Sequence, residues 1–104
     1  MRLSAVTCLY DCGNWPLAAA GADALASTLT GERLADVLLL RAAIAFSADD
    51  LPLAATIASR ALTAAPESSA LAGRVHAHLA VVVDAPGLAR RHAEVALELL
   101  GRPG

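Results

Sequence analysis

The sequence predicts an all-α chain of three antiparallel helix–turn–helix pairs, and three observations predict it. The hydrophobic fraction is 57% while the aromatic fraction is only 3%, so Ala and Leu, both strong helix formers, carry the apolar content. Runs of β-branched and aromatic residues, which favour strands, are nearly absent, with Val81-Val82-Val83 the main exception. A short motif also recurs: Asn14-Trp15-Pro16-Leu17-Ala18, Asp50-Leu51-Pro52-Leu53-Ala54 and Asp84-Ala85-Pro86-Gly87-Leu88-Ala89, with prolines 36 and 34 residues apart.

Each motif is a helix start. An Asn or Asp side chain accepts hydrogen bonds from the free N–H groups of a first turn. A proline in that turn lacks only an N–H that would be unpaired anyway. The helices that follow are expected from Trp15 to Leu29, ending before Thr30-Gly31, from Leu51 to Ala65, stopped by Pro66, and from Ala85 to Leu100, stopped by Gly101 and Pro103. A partner helix precedes each one. These are expected from Arg2 to Tyr10, from Glu32 to Ser47 with Thr30 as cap, and from Ser69 to Val83 with Ser68 as cap. Short connections between helices of similar length make neighbours antiparallel. The chain is therefore expected to be one domain, 1–104, of three units at about 1–30, 31–66 and 67–104, the first helix short and neither end capped by a polar helix.

Composition excludes several functions. The net charge is −2, all eight basic residues are Arg, and Lys is absent. Phosphate contacts need clustered basic residues, and the one adjacent pair, Arg90-Arg91 beside His92, reads as a solvated helix face. No direct nucleic-acid binding is expected. The mean hydropathy is +0.56, but Asp36, Arg41, Arg60, Arg74 and Asp84 interrupt every window near the ~20 apolar residues a membrane span needs. Met1-Arg2-Leu3 meets Asp11 too soon for a signal peptide, so no membrane association and a cytoplasmic location are expected. An all-Arg, Ala-rich chain suggests a GC-rich coding sequence.

No catalytic constellation is visible, and no enzyme activity or cofactor is expected. Ser4, Ser27, Ser47, Ser59, Ser68 and Ser69 lie outside any nucleophile-elbow pattern, and the seven glycines form no phosphate loop. Asp49-Asp50 reads as a helix start. His76 and His78 are two apart, so they point to different faces of one helix, and His92 on the next helix can approach one of them. They read as part-exposed surface histidines; a metal site completed by Glu94 or Asp84 is the sharper alternative. Cys8 and Cys12, four apart, lack further ligands at a matching spacing and read as buried small hydrophobes.

The helix pairs at a period near 35 resemble tetratricopeptide repeats. In the second unit Ala42, Ala54, Ala61 and Pro66 match the family's small positions and terminal proline. In the third Ala77, Ala89 and Ala96 match, with Gly101 where the proline would stand. In the first Ala18 and Ala22 match, and Leu25 replaces a small residue. The large aromatic positions carry Leu38 and Ala45, then Gly73 and Ala80, while Arg41 and His76 stand where the family has Leu. The stretch Leu71-Ala72-Gly73-Arg74-Val75-His76-Ala77-His78-Leu79-Ala80 also resembles the helical-repeat sensor segment of large bacterial LuxR-type ATP-binding transcriptional regulators.

The resemblance implies a right-handed solenoid whose first helices line a concave groove. Carried over by position, the groove takes Leu3, Thr7 and Tyr10, then Asp36, Leu39, Ala43 and Phe46, then Arg74, His78 and Val81. Leu39 and Phe46 read equally as core, and Trp15 as a staple on a helix start. The expected function is a protein- or peptide-binding scaffold or sensor module of a bacterial regulatory protein. The alternatives are a structural self-association element forming a homo-oligomer, and a small helical ligand- or metal-binding bundle.

Overall fold

Helices account for most of the residues described by the computed structural model, which covers 2–67 and 69–101. In chain order they are α1 (Leu3–Asp11), α2 (Trp15–Ala26), α3 (Gly31–Ser47), α4 (Leu51–Ala64), α5 (Ala70–Val82) and α6 (Pro86–Leu100), with no strand among the described residues. Each helix packs on the next, most extensively α3 on α4 and α5 on α6, and α3 also touches α1 and α5.

The turns between α1 and α2 and between α3 and α4 are the same turn. After α1, the Gly13 N–H donates to the Tyr10 carbonyl at 3.0 Å and the Asn14 N–H to the Leu9 carbonyl at 2.9 Å. After α3, the Asp49 N–H donates to Phe46 at 3.0 Å and the Asp50 N–H to Ala45 at 2.9 Å. This double closure needs a left-handed residue, supplied by Gly13 at φ +83° and Asp49 at φ +64°. The chain passes from α5 to α6 differently, through an extended Val83 (ψ 140°).

All three prolines sit in a first turn as expected, but the acidic or amide cap acts at only one. Asp50 accepts from the Leu53 N–H at 3.2 Å. The Asn14 side chain makes no capping bond, and α6 begins a residue later than expected, with Ala85 at the cap position. The expected cap Ser68 lies outside the described residues; Ser69 caps α5, accepting from Ala72 N–H at 3.0 Å. Pro103, an expected stop for α6, is also outside the described residues. The second helix ends at Ala26 rather than Leu29. There the Ser27 and Thr28 hydroxyls donate to the Ala24 and Leu25 carbonyls at 2.7 and 2.9 Å, drawing the chain out of the helix. Ala65 is extended because Pro66 follows it.

Among the described residues everything buried is apolar. Val6, Ala18 and Ala22 pack against Val37 and Ile44 of α3. In the next layer Ala42, Ala45, Ala54, Ile57, Ala58 and Ala61 pack against Val75, Leu79 and Val82 of α5. The many alanines among these residues let the helices approach closely. Cys8 on α1 and Cys12, which follows its end, are exposed, not buried as the sequence suggests. At Gly73, a Cβ would meet Leu100 Cγ at 2.9 Å and Leu99 Cβ at 3.0 Å, so a family-like aromatic has no room where α6 closes on α5. Among the described residues no helix is long and apolar enough to cross a membrane. The radius of gyration is 13.3 Å, the value for a chain of this length packed as one compact body.

Candidate binding groove

Helices α1, α3 and α5 each bring side chains to a common depression. Leu3 and Thr7 of α1, Asp36, Leu39, Leu40 and Ala43 of α3, and Arg74 of α5 line a concavity of about 360 Å³. Within α3, Asp36, Leu39 and Ala43 share a face because residues three and four apart are neighbours on a helix. Six of the residues expected in the groove, Leu3, Thr7, Asp36, Leu39, Ala43 and Arg74, therefore converge; Leu40 joins them although its spacing from Leu39 places it on the flank of the stripe.

Two side-chain contacts tie α3 to α5 on either side of Leu39 and Ala43. The Arg74 guanidinium reaches the Asp36 carboxylate at 3.5 Å, with both side chains about half exposed. Phe46 meets His78 edge to face, with ring centroids 6.0 Å apart. Phe46 is 42% exposed, so it is not core. Leu39 is half-buried and packs against both the α3–α5 core and the Leu71–Ala72 layer. Burial pushes the His78 imidazole below its usual pKa, and its Nε2 is buried with no hydrogen-bond partner among the described residues.

Two expected groove residues are placed otherwise. Tyr10 is half-buried, and its hydroxyl shares a 2.8 Å hydrogen bond with Ser47 Oγ, pinning α1 to the end of α3. Val81 is 66% exposed but lines a different cleft, with Leu51, Pro52, Ala55 and Leu88. Trp15 packs against the first core layer at its helix start, as a staple would. A second ion pair, Arg41 to Asp23 at 3.1 Å, lies outside the groove and ties α3 to α2.

Away from the groove, His76 of α5 and His92 of α6 approach Nδ1 to Nδ1 at 2.8 Å. One nitrogen must donate and the other accept, so at least one of the two rings is neutral in this contact. Burial, then the neighbouring His92, lowers the His76 pKa; burial, then Arg91, lowers that of His92. Neither Glu94 nor Asp84 joins them: among the described residues no three His, Cys, Asp or Glu side chains gather as a metal site.

Comparison with protein-family models, with curated proteins and with solved structures returns no match, so the functional reading rests on the residues and their geometry.

Proposed function

We propose that the chain is a protein- or peptide-binding module of tetratricopeptide-like helix pairs, the scaffold or sensor part of a larger bacterial regulator. The observation that carries this reading is the convergence of Leu3, Thr7, Asp36, Leu39, Ala43 and Arg74 from three separate helices on one depression. A solenoid reading is supported by the identical turns at Gly13 and Asp49 and by the contacts of α3 with both α1 and α5. The groove offers an apolar floor with one charged pair at its rim. That pair is solvent-exposed, and exposed ion pairs contribute only about 0–1 kcal/mol. A ligand can therefore open it at little cost, its acidic group taking Arg74 or its basic group taking Asp36, while its apolar side chains cover Leu39 and Leu40. Phe46, exposed and beside a half-buried imidazole, is the aromatic anchor.

The test uses peptides selected from a random library on the immobilised chain. Replacing Phe46 and Arg74 together by Ala is expected to weaken their binding by roughly tenfold or more, with the helical circular dichroism unchanged. Binding of equal strength in the double variant would contradict the groove assignment.

A further inference from the structure

Among the described residues α6 is the one helix whose backbone packs against a single neighbour, α5. Its only buried residue is Ala96. Leu99 is half-buried over the layer that contains Leu71 and Ala72, while Leu88, Leu97 and Leu100 are exposed. The link to α5 runs through an extended Val83 and an extended Ala85. Across this thin contact His76 meets His92, Nδ1 to Nδ1 at 2.8 Å. Ring centroids only 5.0 Å apart at that separation set the two nitrogens head on.

The number of protons decides whether this contact can exist. With both rings neutral, one Nδ1–H donates to the lone pair of the other Nδ1. A first added proton goes to Nε2 of the donor ring and leaves the bond in place, now charge-assisted. A second must go to the accepting Nδ1, because Nε2 of that ring already carries one. Two N–H groups and two positive charges then oppose each other across the contact.

We propose that the His76–His92 pair is a proton-operated latch, which holds α6 on α5 with up to one added proton and lets α6 swing out about residues 83–85 when a second arrives. The surroundings favour one charge over two. Glu67 and Glu98 line the same pocket as His76 and balance a first charge, and the end of α4 brings only Leu62 and Ala65 to it. Arg91 opposes charge on His92, and burial opposes it on both rings. The other charged and titratable groups of this stretch of α5 turn to α3, Arg74 to Asp36 and His78 to Phe46. Release uncovers Gly73, against which Leu99 and Leu100 now close. No residue of α6 lines the concave groove on α1, α3 and α5, so the latch stands apart from the peptide-binding reading.

Amide hydrogen exchange of the full chain, read residue by residue at about pH 7.5 and about pH 5 and corrected for intrinsic rates, tests it. Amides of α6 are expected to lose roughly tenfold or more of their protection at the lower pH. Those of α3 and α4 should lose markedly less, because the core they share stays closed. His76→Gln and His92→Gln leave no second proton to take, so each should remove the pH effect on α6, whatever its level of protection. Equal α6 protection at the two pH values in the wild type would overturn the proposal. So would a loss shared equally by α3 and α4, which is global unfolding, or an undiminished α6 loss in the two Gln variants.

Discussion

Gly13 and Asp49 hold the same left-handed corner of the same helix–helix turn, 36 residues apart. Gly13 has open space where a Cβ would go, so the conformation is demanded by the backbone and not by crowding. An L-residue held there costs about 1–2 kcal/mol, less for Asp or Asn. Gly13→Ala is therefore expected to lower stability by about 1 kcal/mol, and Asp49→Gly to raise it by up to about 1 kcal/mol. Urea denaturation of the two variants checks both signs. Equal effects in the same direction would show that the two turns are not equivalent.

The three helix starts look alike in sequence but differ in what holds them. Asp50→Ala removes a bond to the Leu53 N–H and should cost about 1 kcal/mol. Asn14→Ala and Asp84→Ala remove no capping bond and should cost less than half as much. Thermal melts of the three single variants order them directly.

Gly73 marks a close approach of α5 and α6. The Leu100 side chain can swing aside, but Leu99 Cβ cannot move without α6 moving. Gly73→Val is expected to destabilise the chain by about 1–3 kcal/mol through overpacking. A variant as stable as the wild type in chemical denaturation would show that α6 yields.

The histidines give the stability a pH dependence. His76, His78 and His92 all have folded pKa values below the ordinary imidazole value, so below about pH 6.5 the unfolded chain binds more protons than the folded one. Their contribution is fully present above that value and is lost as the pH falls from it toward the lowered folded pKa values. The melting temperature should drop between pH 7.5 and pH 5.5. Replacing both His76 and His92 by Gln should shrink that drop, leaving the part due to His78. A melting temperature that does not change across this range would contradict the assignment.

Much of the fold is legible in the residues. Leu and Ala content, the proline-marked starts and Pro66 place all six helices, because each signal acts within one turn of the chain. The boundaries that miss do so through local competition: Ser27 and Thr28 end α2 early by bonding back to its carbonyls. The exposure of Cys8 and Cys12 is not legible, since a small apolar residue is written the same way on a covered and an uncovered face. Within the groove, helical spacing finds Asp36, Leu39 and Ala43 because they share one helix. The contacts Asp36–Arg74, Phe46–His78 and His76–His92 join different helices, and their distances follow from packing rather than from spacing. Position in a repeat points Tyr10 and Val81 to the groove, and a neighbour that no periodicity encodes places each elsewhere, Ser47 for Tyr10 and the α5–α6 turn for Val81.

Chemical-shift mapping of the full chain with a library-selected peptide tests the central claim most directly. Amide shifts are expected to cluster on Thr7, Asp36, Leu39, Ala43 and Arg74, with Phe46 at the edge of the affected surface. Shifts gathered instead on Leu88, Leu97 and Leu100, with those groove positions unmoved, would contradict it.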